Sequence, residues 1–190
     1  MTVAPEVLFT EEQIRKRMAE VGAEINGAFG GAPICVVGVM KSCMVFMADL
    51  IRQVPSDITC HFLRVSSLRD EGCVRTDIVY STEIPYEGRH ILLLLDLIDT
   101  GITLNFLVEH ILERKPKMLK VCTLIDKPQD RKIDVHPDWA AFSVKGTGDR
   151  FIVGYGLDFA EHYRGLPYLG TIPRPTPPSE ERTVTLRLEN

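Results

Sequence analysis

The chain of 190 residues has no C-x-x-C pair, no surplus of basic residues, no apolar run longer than a strand and no internal repeat. Each absence excludes a class. Its five cysteines, Cys35, Cys43, Cys60, Cys73 and Cys122, are odd in number and scattered, so a disulfide framework is not indicated. A reduced, cytoplasmic setting is the expectation. Cys35, Cys60 and Cys122 lie in apolar runs and read as small buried hydrophobes. The five histidines show no ligand spacing, so no zinc site is expected. Acids outnumber bases by 26 to 22, a net charge of -4. That balance argues against nucleic acid or an anionic membrane as partner, since both demand a basic face. The first ten residues, MTVAPEVLFT, carry Glu6 and no Lys or Arg, unlike a secretory leader. No run approaches the ~20 apolar residues of a membrane span.

What is present is ordinary globular material: 45% apolar and 25% charged residues. A chain of this length buries roughly 70% of its unfolded surface, enough for one domain. Thr10-Glu11-Glu12-Gln13 forms a capping-box pattern, and Ile14, Met18, Val21 and Ile25 repeat at helical spacing. A helix is predicted over Glu11 to Asn26, stopped by the glycines from Gly27. Pro33 to Val39 is apolar and β-branched, as a buried parallel strand should be. Phe46 to Val54 reads as a short helix and Ile58 to Val65 as a second strand. The polar stretch from Ser66 to Glu87 reads as a mobile loop with a short exposed hairpin around Thr76 to Tyr80. His90 to Asp96, with five successive apolar residues from Ile91, is a buried strand despite leucine's preference for helix. Ile102 to Arg114 is an amphipathic helix, and Leu119 to Ile125 a further strand. Strands alternating with helices predict an α/β fold with a parallel sheet. Thr171 to Ser179, with four prolines, must be extended. Thr183 to Leu186 reads either as a late edge strand or as disorder.

Chemistry concentrates between Leu94 and Thr103, LLDLIDTGIT. A buried strand ends in Asp96 and Asp99, and a Thr-Gly turn leads into a helix. Ligands of open α/β sheets sit at the carboxyl ends of strands. The first turn of the helix offers unpaired N–H groups to a phosphate. Thr100 and Thr103 add hydroxyls, and Gly101 lets backbone approach an anion. Carboxylates there suit sugar hydroxyls or Mg²⁺. Spacing alone leaves open that Asp96 and Asp99 are ordinary loop acids.

The same segment resembles the phosphoribosyl pyrophosphate loop of type I phosphoribosyltransferases. VGVMKSCMVFMADL (Val37 to Leu50) resembles the pyrophosphate loop of the hypoxanthine-guanine phosphoribosyltransferases. TLIDKP (Thr123 to Pro128) and FIVGYGLDFAEHYRGLPYLG (Phe151 to Gly170) resemble their purine-binding hood. The resemblance covers about Glu11 to Ile172. It implies a type I phosphoribosyltransferase fold: one domain over 1–172, a parallel core at about 32–126, and a small hood from the N-terminal helix region and 127–172. Residues 173–190 form a Pro-rich tail outside it.

The resemblance also implies the activity: phosphoribosyl transfer from phosphoribosyl pyrophosphate to a 6-oxopurine, giving IMP or GMP and pyrophosphate, with Mg²⁺ as cofactor. By its motifs Asp99 is the general base near N7 of the purine. Asp96 holds a ribose hydroxyl or a Mg²⁺ water, and Thr100, Gly101, Ile102 and Thr103 bind the 5′-phosphate. Lys127 donates to the 6-oxo oxygen, Phe151 stacks on the base, backbone of Ile152 reads its edge, and Asp158 reaches a second Mg²⁺. Lys41, Ser42 and Arg164 contact pyrophosphate, with Met40–Lys41 as a cis peptide, and Arg64 supports that loop. Ser66 to Ile78 is the candidate lid over the oxocarbenium-like transition state. Trp139 packs near the hood. A homodimer or homotetramer is implied. Read without the resemblance, Lys127 is a solvated lysine before a proline and Phe151 a core residue.

Three positions depart from the pattern. Leu95-Asp96 replaces a Glu-Asp pair, Ser67-Leu68 replaces Ser-Tyr in the lid, and Lys41-Ser42-Cys43 replaces a glycine-containing turn. All lie on the phosphoribosyl pyrophosphate side. They define an alternative: a homologue that binds purine nucleotide with weak or no turnover, or takes another substrate. A transcription regulator on the same fold is a third reading, against which the lack of a basic stripe speaks.

Overall fold

The computed structural model describes residues 4–70, 73–80, 83–146, 148 and 150–174, without side chains for 66–70, 73–77 and 80. The first helix, α1 (Glu11–Phe29), opens with the reciprocal bonds its sequence calls for: Gln13 N–H to Thr10 Oγ1 and Thr10 N–H to Gln13 Oε1 at 2.8 Å. It buries Ile14, Met18, Val21 and Ile25 as their spacing requires. It runs on to Phe29, beyond the expected Asn26, because Phe29 is buried and adds its own turn. Gly30 then closes it with an N–H bond to Asn26 O.

The central sheet has six strands in the order β4-β3-β2-β5-β6-β7. These are β2 (Ile34–Val39), β3 (Ile58–Asp70), β4 (Cys73–Tyr80), β5 (His90–Ile98), β6 (Met118–Asp126) and β7 (Trp139–Ser143). All neighbours are parallel except the β3–β4 hairpin. The leucine run in β5 explains itself through period-2 alternation. Leu92 and Leu94 face one apolar cluster with Ile14, Met18 and Phe46. Ile91, Leu93 and Leu95 face the other, with Leu104, Leu107 and Ile111. Burial on both faces is what a central parallel strand demands, and each such side chain contributes about 1.5–3 kcal/mol. The covering helices are α2 (Met44–Ile51) and α3 (Ile102–Leu112). α2 starts and stops earlier than Phe46 to Val54, since Cys43 is its N-cap and Pro55 disfavours helix just before it.

The polar stretch differs most from expectation. Instead of a loop with a short hairpin, β3 continues to Asp70 and pairs antiparallel with β4 from Leu63↔Tyr80 to Asp70↔Cys73. The backbone ladder holds the hairpin where side-chain hydrophobicity gives little signal. Because β4 pairs with β3 only from Leu63 onward, the start of β3 has a neighbour on one side alone among the described residues. Cys60 is therefore exposed, not buried as its apolar surroundings suggested, whereas Cys35 and Cys122 are buried. Trp139 lies on the edge strand β7 of the main sheet, packed on its core.

A second, antiparallel sheet joins β1 (Glu6–Phe9), β9 (Leu169–Pro173) and β8 (Arg150–Val153) in the order β1-β9-β8. β8 is an edge strand of that sheet. Strand β9 makes Thr171 to Pro173 extended, as the prolines demand; 175–190, including Thr183 to Leu186, lie outside the described residues. The side chains of Ser67 and Leu68 do as well. Among the described residues no helix is long and apolar enough to cross a membrane.

Candidate active site

Strands β2, β5 and β6 end on one side of the sheet, and each hands its next residues to the same place. After β2 the chain turns through a cis Met40–Lys41 peptide into Ser42, Cys43 and α2. After β5 comes Asp99-Thr100-Gly101, then α3. After β6 comes Lys127, whose N–H bonds Ile98 O at 2.9 Å. The edge strand β8 and the segment behind it close the fourth side. The result is a cleft of about 540 Å³ lined by Ser42, Asp96, Asp99, Lys127, Phe151, Ile152, Asp158 and their neighbours. A smaller hollow of about 140 Å³ continues from Asp96 and Asp99 to Gly101 and Thr103 at the start of α3. Thr100 and Ile102 belong to the same turn; Ile102 is exposed there.

The turn is braced from behind. Arg131 ion-pairs Asp126 and donates to Asp99 O at 3.2 Å, and the N–H groups of Lys132 and Ile133 both reach Thr100 O. Gly101 has φ of 83°, and a Cβ there would meet Val135 Cγ1 at 2.8 Å and Arg131 Cδ at 2.9 Å. Only glycine fits, so the Thr-Gly pair is dictated by packing as much as by any anion. Thr100 N–H bonds the Asp99 carboxylate, which holds that exposed acid in the cleft.

Asp96 is half-buried on β5. Burial pushes its carboxyl above the ordinary carboxylate range, against the pull of the Leu97 N–H, the Ser42 hydroxyl and the Arg164 guanidinium. A cation brought to this carboxylate would relieve that desolvation. Cys43 beside it is buried, and desolvation with the Asp96 charge pushes its thiol up to about 12, so it is inert.

Arg164 ties the two halves of the site together. It donates to Ser42 Oγ at 3.0 Å and to Gly156 O at 2.9 Å, and pairs with Asp158 at 2.8 Å. Lys41 is more exposed, and its partner is Glu161 at 3.1 Å. Bonds from Lys41 and then Arg164 hold the Glu161 carboxyl below its ordinary range. Lys127 is not a solvated lysine: its side chain is only 17% exposed and pairs with Asp130 at 2.8 Å. Phe151 is not core either; its ring lines the cleft 5.2 Å from that of Phe159.

Most of the sequence-predicted residues therefore converge on the cleft; Lys41, Thr100, Ile102 and Arg164 lie beside it and do not line it, and two residues need qualification. Asp158 is engaged by Arg164 and by the Glu161 N–H. Arg64 sits mid-strand and exposed on β3, with no ion pair among the described residues, because β3 continues past the end expected for it. Sequence reasoning missed Glu161, Asp130, Arg131 and the Tyr155–Asp49 pair, whose hydroxyl-to-carboxylate distance is 2.6 Å. Their signal is faint: Asp130 lies one helical turn from Lys127, while Glu161 and Asp49 are ordinary acids whose partners are distant in sequence.

Magnesium fits these residues in one regime. No group of three or more His, Cys, Asp or Glu able to hold a metal occurs among the described residues. Asp96 and Asp158 instead line one cleft singly, which matches an ion held by one or two carboxylates and by substrate phosphates.

Comparison with known proteins agrees with this geometry. Residues 7–160 match the model of the phosphoribosyl transferase domain. A hypoxanthine-guanine phosphoribosyltransferase of Bacillus subtilis is 41% identical over 168 residues, 87% of this chain and 92% of that protein. The crystal structure of a hypoxanthine-guanine phosphoribosyltransferase from Bacillus anthracis superposes with a TM-score of 0.80 at 37% identity, covering 90% of this chain and 99% of the other. A hypoxanthine phosphoribosyltransferase of Trypanosoma cruzi, in complex with its product IMP, gives 0.80 at 31% identity, with 90% and 96% covered. Cleft, fold and relatives together make the chain a member of the phosphoribosyltransferase family, in its hypoxanthine-guanine branch.

Proposed function

We propose that the chain is a purine-salvage enzyme that transfers the 5-phosphoribosyl group from phosphoribosyl pyrophosphate to a 6-oxopurine, releasing pyrophosphate. The observation that carries this is the convergence of Ser42, Asp96, Asp99, Lys127, Phe151 and Asp158 on one cleft at the carboxyl ends of three parallel strands. The bond from ribose C1 to the pyrophosphate oxygen breaks, the bond from C1 to N9 forms, and the base gives up one proton. Asp99 takes or steadies that proton. The turn Thr100 to Thr103 seats the 5′-phosphate on the backbone N–H groups of α3. Asp96 holds a ribose hydroxyl. Lys127 donates to the 6-oxo oxygen, Phe151 packs on the ring, and the backbone of Ile152 on β8 reads the base. Lys41, Ser42 and Arg164 hold pyrophosphate and steady charge as it leaves. Asp96 and Asp158 would hold the magnesium ion, which would supply electrostatic stabilisation of the leaving group. The three-stranded sheet is the hood, acting as one unit with the core over 1–172. The enzyme works in the cytoplasm as a homodimer or homotetramer, the latter checked by light scattering.

The test is Mg²⁺-dependent release of pyrophosphate with hypoxanthine, guanine and xanthine. No nucleotide from any of them at high protein concentration overturns the proposal. One observation favours the second reading, nucleotide binding without turnover: Leu95, beside Asp96, is apolar and buried, so it brings no second carboxylate to the site. That reading expects IMP or GMP to raise the melting temperature while turnover stays blank.

A further inference from the structure

Three successive backbone carbonyls lead from the end of β5 to the turn before α3, and one stretch of chain, 127–133, holds all three. Ile98 O accepts from the Lys127 N–H at 2.9 Å, and Thr100 O from the N–H groups of Lys132 at 2.9 Å and Ile133 at 3.3 Å. Between them Asp99 O accepts from the Arg131 guanidinium at 3.2 Å. Of these links only the one to Asp99 is made by a side chain. The same stretch carries Lys127 and Asp130, which line the cleft. It therefore joins the base side of the site to the phosphate side.

Arg131 stands behind the turn. Its side chain is 8% exposed, and that of Asp126, the last residue of β6, is 13% exposed. One nitrogen of its fork pairs with the Asp126 carboxylate while the other reaches Asp99 O. Its stem packs on Gly101, where a Cβ would stand 2.9 Å from Arg131 Cδ. A planar fork can bridge two fixed acceptors in this way, whereas a lysine is a point charge on a flexible stem. Stability is a poor account of the arrangement. Arg131 Nε is buried with no hydrogen-bond partner among the described residues. A buried ion pair is often no more stabilising than apolar residues of similar volume. What the fork supplies, and an apolar side chain cannot, is a fixed attitude of the Asp99 backbone.

We propose that Arg131 is a positioning residue for the transfer reaction. Pinned to the end of β6 by Asp126, it holds Asp99 O so that the Asp99 carboxylate and the phosphate turn keep their place relative to Lys127. The inference rests on the function proposed above and deepens it, giving a role to a residue that touches no substrate.

The experiment measures kcat, KM for hypoxanthine and melting temperature in the full chain, in Arg131→Lys, in Arg131→Met and in Arg131→Met combined with Asp126→Asn. Misplacing a positioning group by about 1 Å can cost about a hundredfold in rate. In Arg131→Met kcat should fall about ten- to a hundredfold, while KM for the base stays within about threefold because Lys127 keeps its bond to Ile98 O. That variant also leaves Asp126 buried without its partner, so it melts lower for a reason unrelated to the reaction. The double variant removes both charges: its melting temperature recovers and its kcat does not. Arg131→Lys keeps a charge for Asp126 and melts near wild type, yet loses kcat for want of the fork. If kcat returns together with the melting temperature in the double variant, Arg131 is purely structural and the proposal is overturned. Wild-type kcat in Arg131→Lys overturns it too, and this variant decides if the double one does not fold. So does a loss carried wholly by KM for the base. If the wild-type chain makes no nucleotide from any base, the proposed function itself has failed, which is a different outcome from an active enzyme whose kcat ignores Arg131.

Discussion

Replacing Gly156 with alanine tests whether the two halves of the site are held together as described. Gly156 has φ of 98°, and a Cβ there would stand 2.2 Å from Ser42 O, where real contacts essentially never fall below 3.0 Å. The difference between 3.0 and 2.2 Å, about 0.8 Å, is the least by which the two segments must part. Both obstacles are backbone, so no side chain can rotate away. The positive φ alone costs about 1–3 kcal/mol for a residue with a Cβ. The displacement falls on the turn at Ser42, because Ser42 and Gly156 share Arg164 as donor. Misplacing a positioning group by about 1 Å can cost about a hundredfold in rate. Gly156→Ala should thus lose about 1–3 kcal/mol in urea unfolding and one to two orders in kcat/KM for phosphoribosyl pyrophosphate. KM for the base should stay within about threefold, since Lys127 and Phe151 reach the cleft from β6 and β8. A variant with wild-type stability and wild-type kcat/KM would refute the reasoning, and so would a loss confined to base binding.

Three further outcomes are expected. Asp96→Asn, in buffer free of divalent cations, should be more stable than wild type at pH 8 and indistinguishable from it at strongly acid pH. Burial raises the folded pKa of Asp96, so the folded protein holds the proton longer than the unfolded chain and loses stability as pH rises through that pKa; melting curves between pH 3 and 8 (roughly from below to well above the ordinary carboxylate value) check the sign, and a variant less stable at pH 8 contradicts it. Tyr155→Phe removes a buried hydroxyl whose pKa is raised by burial and by Asp49, and should cost about 1–2 kcal/mol in urea, since Asp49 keeps Arg52 as partner; an unmoved midpoint would show that the bond contributes nothing net. Leu95→Glu would supply the missing acid of the family pattern, yet Leu95 is 3% exposed among Leu93, Ile98 and Leu104; a carboxylate there should lower stability by several kcal/mol, measured the same way, and unchanged stability would mean that the side chain finds water in the hollow toward Thr103.

Much of this site was legible because its chemistry is local in sequence. Asp96, Asp99 and the turn to Thr103 occupy one strand–turn–helix passage, and a βα unit places such a passage at the sheet's carboxyl edge whatever surrounds it. The elements lost from view are those whose stability is not local. β3 beyond Val65 is held by backbone pairing with β4, and β7 by pairing with β6, while neither has a distinctive apolar pattern. β1 and β8 are only four residues long and depend on β9, from the far end of the described chain. The same distinction sorts the side chains. Lys127 and Asp130 are one turn apart, whereas Lys41–Glu161 and Tyr155–Asp49 join residues more than a hundred positions apart. A net charge of -4 also looked unsuited to a polyanion, yet the acids in that count include Asp96, Asp99 and Asp158, which line the cleft. On the proposed function, recognition of a pyrophosphate would fall to oriented N–H groups and to a few cations, each tethered to an acid: Arg164 to Asp158, Lys41 to Glu161. The tethers keep the site's own charge near balance, so on that function the substrate's phosphates would displace carboxylates instead of meeting a bare basic surface. On that reading a net charge of -4 and a site for a densely charged small molecule are compatible.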